Sequence, residues 1–224
     1  MAGNEHTRFS TGGPAPDDGR PVSARLTIDR RMGRPVQGES ITILFGSQML
    51  VGRDRTCEIF VNDDRISRKH AIIRIDHDTV RLSDLGSTNG TTRNSEPVTD
   101  EIIVESGDRI CMGRAITYEV RTVIRDGAIG SVRLASGADG YLLAHQELII
   151  GFADPLNDDV DLKLYDPSIL PRHARIEFFT GMTFIVSLDP DKPVVVNSSP
   201  VREIEIRNNY LIEIGDTLLR WERL

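Results

Sequence analysis

The chain has 224 residues, enough for one large domain or two small ones, and its 39% hydrophobic and 27% charged residues are typical of a globular protein. Its net charge of −7 argues against non-specific nucleic-acid binding, and no apolar run is long enough to cross a membrane. We therefore expect no nucleic-acid partner and no membrane insertion and, because no secretory signal follows Met1, a cytoplasmic location.

The chain begins with a segment that predicts no regular structure. It contains the stretch TRFSTGGPAPDDGRP, in which Gly, Pro, Ser, Thr and Asp dominate and no periodicity is present. Residues 1–22 are therefore predicted to be a flexible tail. One interpretation gives this tail no role. The other makes Thr7 or Thr11, once phosphorylated, a ligand for a binding site in this chain or in another copy.

Short alternating apolar runs begin at Ala24 and continue to Val120, and helical periodicity over ten or more residues is missing. Such runs, separated by frequent turns, predict an all-β sandwich. The apolar positions are Leu26 and Ile28, Ile41 and Ile43, Met49 to Val51, Ile59 and Val61, Ile73 and Ile75, Val80 and Leu82, Ile102 and Val104, Ile110 and Met112, and Ile116, Tyr118 and Val120.

Three polar segments interrupt this pattern between Gly52 and Asn94. They are Gly52-Arg53, the run SRKH that ends at His70, and the run GSTNG at residues 86–90. All three fall where the pattern predicts strand ends and turns. Gathered at one end of a sandwich, their hydrogen-bonding and cationic side chains would form a socket for an anion.

The order of these segments resembles that of a forkhead-associated (FHA) domain. The resemblance rests on the glycine-arginine at a strand end, on S-R-K-H-A and on L-G-S-T-N-G-T-x-x-N, and it covers residues 23–122 with the flanking strands. It implies an antiparallel β-sandwich that binds phosphothreonine peptides on its loops. It also assigns roles to residues. The implied phosphopeptide-binding residues are Arg53, Ser67, Arg68, Thr88 and Asn89, and the implied structural framework is Gly52, His70, Gly86, Gly90 and Asn94.

The apolar alternation resumes after residues 123–130, which are predicted to be a short linker. His70-Ala71 recurs as His173-Ala174, and Asn94 recurs at the same spacing as Asn197. The Val51-Gly52 pair matches Ile150-Gly151, and Gly107-Asp108 matches Gly215-Asp216 with a small change of spacing. Residues 131–224 are therefore predicted to form a second, FHA-like sandwich that folds by itself, with Gly151 and His173 in its framework.

The binding residues are not repeated in this second sandwich. Phe152 stands in the place of Arg53, Leu170 and Pro171 in those of Ser67 and Arg68, and Lys192 in that of Asn89. The GST of residues 86–88 becomes the DPD of residues 189–191. Aspartates would repel a phosphate, so the second domain is predicted to be degenerate, keeping the fold without the ligand.

Two function hypotheses follow. The first is a phosphothreonine-binding adaptor in Ser/Thr kinase signalling, whose partner is a phosphothreonine-containing protein or peptide, with a Ser/Thr kinase or its substrate as candidates. The alternative is a phosphate-independent scaffold for protein–protein assembly. A basic surface patch without a ligand is the plainest interpretation of the cationic cluster formed by Arg53, Arg55, Arg65, Arg68, Lys69 and Arg93. Against it, these cations concentrate in the loops while the whole chain is acidic, and Ser67 and Asn89 occupy the family's positions.

No motif indicates an enzyme. The GSTNG run is not a G-x-S-x-G elbow, no phosphate-binding G-x-x-x-x-G-K-[ST] loop is present, and the five histidines show no zinc spacing. We therefore expect no catalytic residues, no metal and no cofactor. Cys57 and Cys111 are interpreted as reduced residues in or near the core, and a single disulfide between them stays an alternative.

Overall fold

The computed structural model of the protein describes residues 22–137, 139–154 and 158–224, so the predicted tail lies outside the described residues except for Val22. All regular elements in the described part are β-strands, which confirms the all-β prediction. No helix there could span a membrane. The strands are β1 (Val22–Arg31), β2 (Arg34–Pro35), β3 (Ser40–Phe45), β4 (Gln48–Gly52), β5 (Ile59–Phe60), β6 (Ala71–Ile75), β7 (Val80–Asp84), β8 (Thr91–Arg93), β9 (Glu96–Pro97), β10 (Ile102–Val104), β11 (Arg109–Met112), β12 (Ile116–Arg125), β13 (Ala128–Ser136), β14 (Asp139–Ala144), β15 (Glu147–Phe152), β16 (Leu162–Leu164), β17 (Ala174–Phe179), β18 (Met182–Ser187), β19 (Val194–Val196), β20 (Ser199–Val201), β21 (Glu203–Glu205), β22 (Tyr210–Ile214) and β23 (Thr217–Arg223).

The strands form one long sheet and two short ones. The long sheet has 13 strands in the order β20-β19-β22-β23-β1-β3-β14-β13-β12-β11-β8-β9, with β2 paired to β1. One five-stranded sheet, β10-β7-β6-β4-β5, packs on the half of the long sheet that ends at β9 and encloses the first core. The other, β16-β15-β17-β18-β21, packs on the remaining half and encloses the second core. Each core with its two layers is called a domain below.

The strands β3 and β14 pair in parallel at the centre of the long sheet, and both contribute to both cores. Leu44 and Leu143 face the first core, whereas Ile43, Phe45 and Leu142 face the second. All five side chains are buried. Burial on both faces explains why ILF at residues 43–45 and LLA at residues 142–144 are continuous apolar runs, where other strands alternate polar and apolar residues.

The two domains exchange their first hairpins. The β1–β3 hairpin precedes the first domain in sequence, yet it pairs with β23, with Leu26 opposite Trp221, and lines the second core. The β13–β14 hairpin precedes the second domain, yet it pairs with β12, with Val120 opposite Leu134, and lines the first core. Each sandwich is therefore completed by a hairpin from the other half of the sequence.

This pairing corrects the predicted division of the chain. Residues 123–130 are not a linker, because they belong to β12, β13 and the tight turn between them. Asp126 and Gly127 form that turn with φ of 51° and 79°, as a two-residue hairpin requires. The predicted domains, 23–122 and 131–224, do not match the pairing either, because each contains a hairpin that completes the other sandwich.

A polar cluster also joins the two domains. Asp161 precedes β16, is buried, and accepts hydrogen bonds from the Arg125 guanidinium at the end of β12 and from the Ser131 hydroxyl of β13, at 2.5 and 2.6 Å. The backbone N–H of Ile149 donates to the same carboxylate at 2.6 Å. Burial raises the pKa of Asp161, although the Arg125 charge acts in the opposite direction. An unpaired carboxylate would be costly at this depth, so the cluster favours one arrangement of the two halves.

Candidate functional site

The first two polar segments meet beyond the end of β4. The backbone N–H groups of Arg53 and Asp54 donate to the carbonyl oxygens of Ser67 and Arg68, both at 3.0 Å. Gly52 permits this approach, because a side-chain carbon at its position would overlap the Arg68 carbonyl oxygen. The backbone therefore places Arg53 directly beside the Ser67 loop.

The third segment joins the second through side chains. The backbone N–H of Thr88 donates to the Ser67 hydroxyl oxygen at 3.0 Å, and the two hydroxyl oxygens lie 3.5 Å apart. The Asn89 amide nitrogen donates to the Arg65 carbonyl at 2.8 Å. Three loops that are distant in sequence thus form one end of the first domain.

These loops enclose an open cavity of about 610 Å³, called the socket below. All five side chains that the sequence predicted to bind a phosphopeptide line it, so the structure brings the whole predicted set together. The lining residues are Arg53, Asp54, Asp64, Arg65, Ile66, Ser67, Arg68, Lys69, Thr88 and Asn89. Arg65 and Lys69 had been recognised in the sequence only as part of a basic cluster, and the two aspartates were not expected in the lining.

The cations of the socket differ in how far they are already engaged. Arg65 holds Asp63 with two of its nitrogens, at 2.9 and 2.7 Å, and these hydrogen bonds lower the pKa of Asp63 to about 2. Arg53 uses its Nε to donate to the Ile66 carbonyl at 3.2 Å, while its Nη1 lies 3.9 Å from Asp64. Within the described chain no ion pair involves Arg68. Arg53 and Arg68 are therefore the guanidinium groups best placed to receive an anion.

His70 lies behind the socket and is completely buried. Its Nδ1 accepts from the Ser67 N–H at 3.1 Å, so the neutral ring carries its proton on Nε2, which lies 3.2 Å from the Gly90 carbonyl. The His70 N–H donates to the Val51 carbonyl at 2.8 Å. These contacts connect β4 to both loops, which is the arrangement of a structural residue and supports the framework role predicted for His70.

Asp84, at the end of β7, holds the third loop and was missed in the sequence. It accepts from the Ser87 N–H and hydroxyl, both at 2.7 Å, and from the Thr91 hydroxyl at 2.6 Å. Burial opposes the charged form, but these hydrogen bonds outweigh it and lower the pKa of Asp84 from its ordinary value. An aspartate three residues before a serine at a strand end is a loop-closing pattern that could have identified it.

The substitution Asp84→Asn should destabilise the first domain by about 1–3 kcal/mol at pH 7, because an amide replaces one of the two accepting oxygens with a donor. The folded-state pKa lies below the ordinary value, so the ionised group stabilises the fold above about pH 4, and this contribution is lost as the pH falls through the folded-state pKa. Urea unfolding should therefore separate the variant from the parent at pH 7 and bring them closer at pH 3. Asp78→Asn, in an exposed turn, is the matched control and should change little. Equal stability of Asp84→Asn and the parent at pH 7 would contradict this role.

The second domain repeats the backbone of this loop end. The N–H of Phe152 donates to the Leu170 carbonyl at 2.8 Å, and the N–H of Leu170 donates to His173 Nδ1 at 3.2 Å. A side chain at Gly151 would overlap the Pro171 carbonyl oxygen, as one at Gly52 would overlap that of Arg68. Apolar side chains thus stand on the same framework that carries the socket in the first domain.

The hairpin turns after β8 and β19 repeat as well. Asn94 and Asn197 have φ of 52° and 48°, and their side-chain oxygens accept from the backbone N–H of Arg109 and Leu211 at 2.9 and 3.0 Å. Asparagine tolerates this left-handed conformation better than most residues. Asn94 and Asn197 therefore correspond in structure as well as in sequence.

The predicted match of Gly107-Asp108 with Gly215-Asp216 is wrong. Gly215 lies in the turn between β22 and β23, and its structural counterpart is Gly113, in the turn between β11 and β12. The two glycines have φ of 58° and 59°, and a side chain at either one would collide with the preceding loop, at Ser168 or at the Arg65 carbonyl. The glycine-aspartate identity was a coincidence of sequence.

Comparison with known proteins assigns both halves of the chain to the same domain family. The FHA domain family model matches residues 49–113 and 148–215, together more than half of the chain. Both matched segments begin after an exchanged hairpin, so the match covers the framework of both domains and leaves both hairpins outside.

Several bacterial proteins are similar to part of the chain. The glycogen accumulation regulator GarA of Mycobacterium tuberculosis is 38% identical over 63 residues, which are 28% of this chain and 38% of GarA. The FHA domain-containing protein FhaA of the same organism is 35% identical over 94 residues, 42% of this chain and 16% of FhaA. A solved structure from a study of phosphothreonine-dependent FHA domain interactions is 34% identical, covers 41% of this chain and 88% of its own, and has a TM-score of 0.30. The chain thus spans well under half the length of these first curated relatives.

Proposed function

Because the chain belongs to the FHA domain family, we propose that it is an adaptor in Ser/Thr kinase signalling that binds phosphothreonine peptides through the loops of its first domain. The observation that carries this proposal is the convergence of Arg53, Ser67, Arg68, Thr88 and Asn89 on one open cavity. FHA domains are binding modules, and the names of the relatives denote a regulator and an FHA protein, which favours a binding function over catalysis.

The chemistry of the socket suits a phosphothreonine. The phosphate brings about −2 charges and three acceptor oxygens at neutral pH. Arg53 can present its two terminal nitrogens, since its Nε is already engaged, and Arg68 adds a second cation. The Ser67 oxygen accepts from the Thr88 N–H, and the Ser67 hydroxyl donates only over a long 3.5 Å contact to the Thr88 hydroxyl oxygen, so a phosphate oxygen can take over this hydrogen.

Asn89 suits the backbone of the ligand. Its amide nitrogen is bound to the Arg65 carbonyl, which fixes the side chain and leaves the amide oxygen as an acceptor. A peptide N–H next to the phosphothreonine is the matching donor. The socket can therefore read a phosphate and a short segment of extended backbone, as recognition of a phosphorylated protein segment requires.

The site should prefer phosphothreonine to phosphoserine. FHA domains typically seat the threonine methyl group in a small pocket, and a buried methyl discriminates by about 1–3 kcal/mol. Two peptides that differ only in this methyl should therefore differ in affinity by at least several-fold when titrated by calorimetry. Equal affinities would indicate simple attraction of an anion without such a pocket.

A pull-down with the full chain from a phosphopeptide library tests the proposal as a whole. We expect enrichment of phosphothreonine peptides, and loss of the enriched set after phosphatase treatment. The degenerate second domain favours the alternative, a phosphate-independent assembly scaffold. Enrichment that survives phosphatase treatment would support that alternative and contradict the adaptor. We place the adaptor in the cytoplasm, with a Ser/Thr kinase or its substrate as the expected partner.

A further inference from the structure

The second domain keeps the FHA framework without the socket, and the hairpin exchange suggests why it is retained. We propose that the second domain serves to complete the first, so that the two cores unfold as one cooperative unit and the socket exists only while the second core is intact. This role concerns folding and not ligand chemistry, and it holds whether or not the socket binds a phosphothreonine.

The shared central strands are the first support. Opening the second core would expose Ile43, Phe45 and Leu142, which lie on the same two strands as Leu44 and Leu143 of the first core. A fully buried aliphatic or aromatic side chain contributes substantially to stability, and these side chains are no more than 1% exposed. A state with one core folded and the other open would lose the packing on one face of both strands.

The exchanged hairpins are the second support. If the second domain unfolded alone, β14 would lose its parallel partner β3, and the β13–β14 hairpin would be the free edge of the first domain. If the first domain unfolded alone, β1 and β3 would be left as the corresponding edge of the second. Each domain therefore protects a hairpin edge of the other, and an unprotected edge is prone to mispairing.

The buried polar cluster is the third support. Arg125 is the last residue of β12 in the first domain, Ser131 belongs to the exchanged β13–β14 hairpin, and Asp161 precedes β16 of the second domain. Separation of the halves would leave a buried carboxylate and a guanidinium without their partners. Leaving one member of a buried ion pair without its partner costs more free energy than replacing both members with apolar residues. The pair therefore opposes an opening that separates Arg125 from Asp161.

A single natural probe can test this cooperativity. Trp221 is the one tryptophan of the chain, it lies in the second core, and it is 2% exposed, so its fluorescence reports unfolding of the second domain. Leu82 lies in β7, in the first core, and is 1% exposed. Leu82→Ala should lower the urea midpoint seen by Trp221 by roughly 1–2 M, although the substitution lies in the other domain.

Leu85→Ala is the matched control, because Leu85 lies three residues after Leu82 and is 44% exposed. The urea midpoint of this variant should stay close to that of the parent. If Leu82→Ala does not fold, the milder Ile73→Val in the same core should give a smaller shift in the same direction. An unchanged Trp221 midpoint in a folded first-core variant, with faster amide hydrogen exchange confined to β6 and β7, would show two independent domains and overturn the proposal. No ligand is used, so failure here leaves the phosphothreonine proposal standing.

Discussion

Replacing Arg53 with alanine should weaken the binding of a phosphothreonine peptide by about tenfold to a hundredfold or more. Arg53 lines the socket with its terminal nitrogens free of strong partners, since the nearest carboxylate oxygen, of Asp64, is 3.9 Å away. A charge-assisted hydrogen bond contributes about 1.5–3 kcal/mol, and each 1.4 kcal/mol is a factor of ten in affinity. Titration calorimetry with one phosphothreonine peptide would measure the loss.

Arg55→Ala is the matched control for this experiment. Arg55 lies two residues away and packs 5.5 Å from the ring centre of Phe60, outside the socket lining. Its removal takes away the same charge from the same loop, so it separates long-range attraction from direct contact. If Arg53→Ala binds as tightly as the parent, with an unchanged circular dichroism spectrum, the assignment of Arg53 is wrong.

Deleting residues 1–45 should unfold the second domain, although the deletion is made at the opposite end of the sequence. The β1–β3 hairpin supplies Ala24, Leu26, Ile43 and Phe45 to the second core. Burying one such large side chain contributes about 1.5–3 kcal/mol, and a domain is stable by only about 5–15 kcal/mol. The hairpin is therefore worth a large part of the stability of the second domain.

Trp221 fluorescence measures this effect, because Trp221 in β23 lies directly opposite Leu26, which belongs to the deleted hairpin. We expect a red-shifted emission in the absence of denaturant, typical of an exposed indole. Deletion of residues 1–21 removes none of the described strands and should leave the emission of the parent. A buried Trp221 in the 1–45 deletion would mean that β13–β14 has taken the vacated place, as in the predicted division at residues 123–130, and would contradict the exchange.

The local features of this fold could be predicted from the sequence because they depend on short-range patterns. The alternation of apolar residues identified the strands, and the three polar segments identified the socket, because residues at neighbouring strand ends must converge at one end of a sandwich. The spacing that carries His70 to His173 identified the repeat. Asp84 was missed because its role depends on the loop it closes and not on the alternation around it.

The hairpin exchange could not be predicted in the same way. Both hairpins carry the same kind of apolar strand, so the pattern around Leu26 and that around Leu134 fit either sandwich. The choice between them is made by long-range packing and by the Arg125–Asp161 contact, which alternation does not encode. One local signal was available: Asp126-Gly127 is a strong hairpin signal, and it argued against a linker at that point.

The central claim, that the first domain reads phosphothreonine and the second does not, is tested most directly by heteronuclear NMR of the full chain. A phosphothreonine peptide and its unphosphorylated twin would be titrated in parallel. We predict shift changes at Arg53, Ser67 and Asn89 with the phosphorylated peptide alone, and no clustered changes at Phe152 or Leu170. Equal changes with both peptides, or changes clustered at Phe152 and Leu170, would contradict the claim.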